Sequence, residues 1–427
     1  MRQAMRFKTI AVVTGVMLLG AACGSSDNGG ASAEGSSGGA GGGNAKAEPL
    51  KLGYVLPETG DLAYLGPPQI QAMKYAVSEI NKSGGVLGSP IPAVVGGDEA
   101  GDQAIASQSA DRVLNEGVDA VIGAAASGMS LAIIDKITGA GVVQCSGSNT
   151  APTFTDYKDG GYYFRTAPSD ALQGPVLADV ITGDGHSKVA IVARADDYGK
   201  GLADATAKSL ESSGASVVLN ESYDPKATNF NATVAKVVAQ KPDAVVVVAF
   251  EEGKQIIKGL MEKGLTPDKV GIYGADGLRS EDLPKLVNAK NPQALDGMKG
   301  TAPASADNPA FTKNLKAFAP DLEELQFAPQ VYDCVNVIAL AAEAAKSTDA
   351  ASFKEQMVAV TKDGEKCNSF ADCKKLLDAG KDIDYDGASG PLDFVDAGEP
   401  GKATIEVYSY KDGKLKTLDT REAAPVE

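Results

Sequence analysis

From Leu50 onward, short apolar runs rich in β-branched residues alternate with longer stretches of helical periodicity. A chain patterned in this way folds as a parallel sheet covered by helices. KLGYVLP reads as the first strand, and Pro68 to Lys82 as an amphipathic helix stopped by Gly84-Gly85. PIPAVVGGD, VDAVIGAA and GVVQCSG supply further strands, with helices expected at Gln103 to Asn115 and Gly128 to Thr138. After YYFRTAPSD the pattern restarts. KVAIVARAD, ASVVLNESYD, PDAVVVVAF and KVGIYGADG are strand-like, separated by helices near Gly201 to Ser213, Phe230 to Gln240 and Glu252 to Lys263. About 380 residues follow Glu48, more than one hydrophobic core usually supports, so two α/β lobes are expected.

The last third changes character. Helices are predicted at Pro309 to Phe318, Pro329 to Lys346 and Ala351 to Lys362, and KATIEVYSYKDGKLKTL alternates around Asp412-Gly413 as a hairpin. No third strand-helix alternation follows, so these elements are expected to complete the two lobes.

The first 23 residues carry a different signal. Arg2, Arg6 and Lys8 precede an apolar or small stretch from Ile10 to Ala22, which is too short to span a bilayer and ends in the small pair Ala21-Ala22 before Cys23. Leu18-Leu19-Gly20-Ala21-Ala22-Cys23 resembles the lipobox of bacterial lipoproteins, with Gly20 where a larger aliphatic residue is usual. That resemblance implies export, cleavage before Cys23 and a diacylglycerol on its sulfur at the outer face of the cytoplasmic membrane. Residues 24–49, dominated by Gly, Ser, Ala and Asn, have the composition of a flexible tether. With 56 acidic against 40 basic residues and a net charge of −16, the chain repels nucleic acid and anionic lipid, leaving the anchor as its membrane contact.

Beyond Cys23 four cysteines remain, an even number in a compartment where disulfides persist. Cys367 and Cys373 are close enough to close a small loop, and Cys145 and Cys334 form the other candidate pair. A metal site is disfavoured, because the spacings fit no zinc pattern and His186 is the single histidine. His186 also lies in a polar loop with no nucleophile elbow, and neither a phosphate-binding loop nor a dinucleotide fingerprint occurs. Enzymatic activity is not expected, and no cofactor is implied.

In open α/β sheets ligands sit beyond the carboxyl ends of the strands, where loops run into helix N-termini. Those loops carry Tyr64 after the first strand, Ser127 after VDAVIGAAA, Ser148 and Thr150 after GVVQC, Tyr198 after VAIVARADD, Phe250 after AVVVVA, and Asp276 after VGIYGA. Singly, each has a local explanation: a helix cap for Ser127, turn chemistry for Ser148, Thr150 and Asp276, packing for the rings. Together they are the lining of a cleft.

TGDLAYLGPPQIQAMKYAVSEINKSGGVLG, VDAVIGAAASGMSLA, QCSGSNTAP, YYFRTAPSDALQG and DDYGKGLA resemble, in this order, the leucine/isoleucine/valine-binding proteins, the type I periplasmic substrate-binding proteins of ABC importers. The resemblance implies two Rossmann-like lobes with parallel sheets joined by hinge crossovers, residues 50–166 with 302–392 and residues 167–301 with 393–420, before a tail at 421–427. It implies that Ser127 and Thr150 hold a ligand carboxylate, that Ser148 and Asp276 hold its ammonium group, and that Tyr64, Tyr198 and Phe250 supply rings, Phe250 standing where tyrosine is frequent. Arg165 is expected to tie the lobes or hinge rather than touch ligand. The cargo so implied is a neutral or branched-chain amino acid, delivered by a monomer to a permease and ATPase. Urea, short amides, aromatic acids, or a sensory rather than a transport role remain open.

Overall fold

The computed structural model describes residues 48–304 and 308–424; Cys23 and most of the tether lie outside them. The first half runs β1 (Leu52–Leu56), α1 (Gly66–Lys82), β2 (Val95–Asp98), α2 (Gln103–Asn115), β3 (Ala120–Gly123), α3 (Ser127–Gly139), β4 (Val143–Ser146) and β5 (Tyr163–Arg165). These strands form a wholly parallel sheet of order β2-β1-β3-β4-β5. Helices cover both faces, so its central strands are buried throughout and read as continuous apolar runs. Gly53 lets α2 approach β1: a Cβ there would stand 2.3 Å from Val113.

The chain then crosses to a second sheet through α4 (Asp170–Gly183), β6 (Lys188–Arg194), α5 (Asp197–Ser212), β7 (Ser216–Tyr223), α6 (Asn231–Gln240), β8 (Ala244–Val248), α7 (Gly253–Glu262), β9 (Gly271–Gly274), α8 (Leu283–Val287) and β10 (Lys299–Pro303). It returns with α9 (Pro309–Phe318), α10 (Ala328–Ala345), α11 (Ala350–Phe353), β11 (Glu365–Cys367), α12 (Phe370–Asp378), β12 (Ile383–Gly387) and β13 (Gly390–Pro391). The hairpin β14 (Ala403–Lys411) and β15 (Lys414–Ala423) closes the chain. The second sheet has order β15-β14-β10-β9-β8-β6-β7, parallel except for the antiparallel hairpin at its edge. Its turn, Asp412-Gly413, has positive φ at both residues, the geometry that suits a two-residue hairpin. β15 runs on to Ala423, into the segment expected as a tail. Helix α10, buried along nearly its whole length, packs on α1 and on the first sheet.

Two bonds join the cysteines, Cys145 to Cys334 with Cα atoms 5.9 Å apart, and Cys367 to Cys373 with Cα atoms 5.3 Å apart. The first fastens β4 to α10 immediately before the loop that carries Ser148 and Thr150.

One predicted helix is corrected. Over 351–362 only α11 and a 3-10 turn at Lys354–Gln356 form. Phe353, Met357 and Val360 are buried at the expected helical spacing. Beyond them, however, the Val360 carbonyl accepts from the Tyr385 N–H and Thr361 bridges to Asp384, so pairing with β12 draws the backbone out straight. Helix α4 and strands β5 and β10 lie outside the predicted elements. In α4 the pair Gly174-Pro175 mimics a turn, yet Gly174 is needed because a Cβ would meet Ala205 at 2.7 Å in the α4–α5 packing.

Candidate ligand-binding site

In each sheet the strand order reverses once, and at such a point adjacent loops leave in opposite directions and open a crevice. The first reversal lies between β1 and β3, the second between β6 and β8. Loops from both reversals line one cavity of 20 Å³: Leu62 and Leu65 after β1, Ala125 to Ser127 after β3, Tyr198 after β6 and Phe250 after β8. Ser148, Asp276, Gly277 and Phe327 complete the wall. The space holds little more than a water molecule, because the two halves touch across it. The Tyr64 hydroxyl donates to the Gly277 carbonyl at 2.9 Å, and Gln326 Nε2 donates to the Asp276 carbonyl at 2.9 Å. At the rim Lys226 pairs with Asp102 at 3.3 Å.

Five of the seven residues singled out in the sequence therefore share this wall: Ser127, Ser148, Tyr198, Phe250 and Asp276. Tyr64 and Thr150 do not. Tyr64 spends its hydroxyl on the bond across the cleft, and Thr150 stands behind the wall beside Asp170, whose N–H donates to the Thr150 carbonyl at 2.7 Å.

At one end of the cavity Ser127 opens α3, where first-turn N–H groups have no acceptor within the helix and the helix dipole favours an anion. The two preceding N–H groups, of Ala125 and Ala126, are taken by the buried Glu99 at 2.6 and 3.2 Å. Burial outweighs those two bonds and pushes the Glu99 carboxyl up to about 8. Ser148 Oγ lies 3.1 Å from both Gln69 Oε1 and the Ala125 carbonyl, with one proton to give.

The wall also carries the acid Asp276, with a second acid, Asp170, behind it. Asp276 Oδ1 accepts from Tyr198 Oη at 2.8 Å and from Gln173 Nε2 at 2.9 Å. Asp170, the first residue of α4, is wholly buried, and neither of its carboxylate oxygens meets hydrogen-bonding geometry with any protein group. The Thr150 hydroxyl favours the ionised carboxylate from nearby without closing a proper bond, and is itself unpartnered. Burial raises the Asp170 carboxyl well above the ordinary range, and the Asp276 charge raises it further. Burial likewise raises Asp276, partly offset by its bonds from Gln173 and Tyr198. Two desolvated acids within electrostatic reach of each other favour the neutral form or a neighbouring cation, and the Thr150 hydroxyl and the Arg165 guanidinium offset the cost at Asp170 only in part.

The remaining wall is apolar and held from behind. Tyr198 and Phe250 stack with centroids 5.2 Å apart, and the Arg194 guanidinium lies 3.5 Å from the Phe250 centroid. Asp196 and Glu252 pair with that guanidinium, and Tyr223 donates to Glu252. Leu62, Leu65 and Phe327 face the rings. Among the described residues no group of three or more His, Cys, Asp or Glu is placed to hold a metal ion, and no helix is long and apolar enough to cross a membrane.

A family model for periplasmic binding proteins matches residues 49–414. The chain belongs to the periplasmic binding protein family. Among its relatives this periplasmic binding protein is 27% identical over 378 residues to the Leu/Ile/Val-binding protein homolog 3 of Brucella melitensis biotype 1, covering 87% of this chain and 94% of that one. The branched-chain amino acid transporter substrate-binding protein LivJ of Streptococcus pneumoniae, solved with isoleucine, superposes with a TM-score of 0.70 at 25% identity, covering 88% of this chain and 99% of that one. A solute-binding protein of an ABC transporter from R. palustris, solved with benzoate, superposes with a TM-score of 0.71 at 20% identity, covering 89% and 98%. Two α/β sheets facing one crevice are thus the type I periplasmic-binding-protein fold, a substrate-binding protein type that works outside the cytoplasm.

Sequence reasoning did not single out Phe327 in the wall, nor the polar residues Asp170, Gln173 and Gln69 behind it. Asp170 and Gln173 sit on the overlooked helix α4, Gln69 projects from α1, and Phe327 lies in EELQFAP, which carries no strand signal. For Asp170 a clue existed, since Ser169-Asp170 follows YYFRTAP, but an acid after a serine cap reads equally as dipole complementation.

Proposed function

We propose that the protein is the capture subunit of an ABC importer and takes a neutral amino acid with a short apolar side chain between two closing lobes. The first sheet with α10 forms one lobe and the second sheet the other, joined by the crossovers near Arg165, Pro303 and Leu392 to Ala403. The observation that carries the proposal is that one crevice brings together the α3 N-terminus at Ser127 and two buried acids, Asp276 in the cavity wall and Asp170 behind it. A zwitterion matches both ends, ammonium to the acids and carboxylate to Ser127 and the helix dipole. Thr150 and Ser148 add hydroxyl and backbone contacts as the cleft opens to admit it, while Tyr198, Phe250, Leu62 and Leu65 enclose the side chain. An aromatic acid brings no cation to the acid pair, and urea brings no anion to α3.

Ligand binds the closed arrangement better than the open one and shifts the population toward it. Thermal melts with a panel of amino acids, benzoates, urea and short amides test the assignment. A ligand at a hundred times its dissociation constant adds about 2.7 kcal/mol, so aliphatic amino acids should raise the melting temperature and the others should not. Stabilisation by benzoate or urea, with none by any amino acid, would replace the assignment.

The same proposal extends to Cys23, which lies outside the described residues: lipidated there, the protein is held at the outer face of the cytoplasmic membrane through residues 24–49. Mass spectrometry of the mature N-terminal peptide should find diacylglycerol on Cys23. An unmodified or differently cleaved terminus would remove the anchor and leave the capture function standing.

A further inference from the structure

Phe327 lines two cavities. One is the 20 Å³ space lined by Ser127, Tyr198 and Asp276; the other, of 230 Å³, has Arg279, Glu324, Gln326 and Glu406 in its wall with Phe327. The second cavity has its own chemistry. Arg279 pairs with Glu406 at 2.6 Å and with Glu324 at 3.7 Å, two acids to one base, so one negative charge is left over. Gln326, more than nine-tenths buried, gives Nε2 to the Asp276 carbonyl and leaves Oε1 without a partner. An unpartnered acceptor beside an excess carboxylate suits a donor-bearing, positively charged group.

Backbone geometry keeps the ring where it is. Phe327 has φ 62° and ψ 0°, a left-handed conformation that costs an aromatic residue energy, and α10 starts at the next residue with Pro329 in its first turn. Strain of this kind persists where the surrounding structure over-determines it, here beside the ligand cavity.

Resting on the amino-acid assignment above, we propose that Phe327 is the specificity-determining partition of the cleft. It limits the ligand to a short apolar side chain and fences off an acidic annex that would otherwise receive a long cationic one, such as that of lysine or arginine. Discrimination is then partly by exclusion: the annex is chemically fit for the rejected ligand, and the ring denies access to it.

The test is calorimetric titration of the wild type and Phe327→Gly with L-leucine, L-valine and L-lysine. Glycine relieves the left-handed strain as it removes the ring, so the variant is expected to fold. The wild type should bind an aliphatic amino acid and give no heat with lysine. Phe327→Gly should bind the aliphatic ligand at least tenfold more weakly and lysine at least tenfold more tightly than the wild type does, and adding Glu324→Gln should reverse the lysine gain. Should the glycine variant not fold, Phe327→Leu should show the same shift in smaller measure. A folded variant that keeps its aliphatic affinity and still ignores lysine overturns the partition and leaves the amino-acid assignment intact. A wild type that binds no amino acid overturns that assignment, and the partition with it.

Discussion

Asp276→Asn is expected to lower affinity for an amino acid by two to three orders of magnitude while leaving the empty protein folded. The substitution keeps the shape of the side chain and an oxygen to accept from Tyr198 and Gln173, both within 2.9 Å of Oδ1. What it removes is the charge facing the ammonium group. Breaking one side of a buried, hydrogen-bonded ion pair costs about 3–5 kcal/mol, and each 1.4 kcal/mol is tenfold. The empty protein responds in the opposite sense. Burial holds Asp276 above its unfolded value, so its favourable share of stability is present at low pH and is lost as pH rises through the raised value. Asparagine has no such loss, and the variant should melt above the wild type in alkaline buffer. Ligand affinity carries the matching signature. An ammonium group entering the cleft pulls down both acids, so binding releases protons and wild-type affinity climbs with pH until the raised values of Asp170 and Asp276 are passed. Calorimetry in buffers of different ionisation enthalpy reads this release directly. For an aromatic acid every sign inverts: neutralising Asp276 would remove repulsion and tighten binding. Unchanged amino-acid affinity in a folded Asp276→Asn would sink the ammonium assignment.

How much of this was legible in the sequence depends on what kind of signal each part leaves. Strands such as Ala244–Val248 are buried on both faces, so an unbroken AVVVV announces them, and the loops after them are found by counting forward. Ser127, Tyr198, Phe250 and Asp276 were reached in that way. Asp170 was not, because the helix that presents it is broken up by Gly174 and Pro175 for the sake of contact with α5, a tertiary requirement that leaves a turn-like text. Phe327 is remote in a different sense. It reaches the cavity from the start of α10, about fifty positions beyond Asp276, through a crossover whose path no local pattern encodes. The failed helix at 351–362 marks the same boundary, since Phe353, Met357 and Val360 carry helical spacing and only the neighbouring edge of β12 decides against it.

Arg165→Met is expected to destabilise the fold by about 3–5 kcal/mol, the usual cost of stranding one partner of a buried pair. Arg165 is wholly buried at the end of β5. Its Nε donates to Glu399 at 2.8 Å, its second terminal nitrogen to Glu399 and to Thr155, and its first to the carbonyls of Asn149 and Ala151 at 3.2 and 2.8 Å. Glu399 belongs to the segment that passes from β13, which pairs with β12, to β14 in the second sheet, while Asn149 and Ala151 flank Thr150 in the loop that follows Ser148 of the cavity wall. One guanidinium therefore fastens the ligand loop to a crossover, the tying role foreseen for it in the sequence. Methionine fills the space but leaves Glu399 without its cation and the Asn149 carbonyl without its donor, while the Ala151 carbonyl keeps the Phe154 N–H at 3.4 Å. Urea unfolding should show a lower midpoint at an unchanged slope, since the exposed surface on unfolding is the same. Adding Glu399→Leu should recover most of the ion-pair loss, because apolar replacement of both partners is often neutral. Recovery will be incomplete, as the stranded Asn149 carbonyl still costs about 1–3 kcal/mol. The double variant is then the informative one: stable enough to fold, it should still bind ligand more weakly than the wild type, because the loop carrying Thr150 has lost its tie. A single variant within 1 kcal/mol of the wild type, or a double variant with full affinity, would mean that the loop keeps its shape without Arg165.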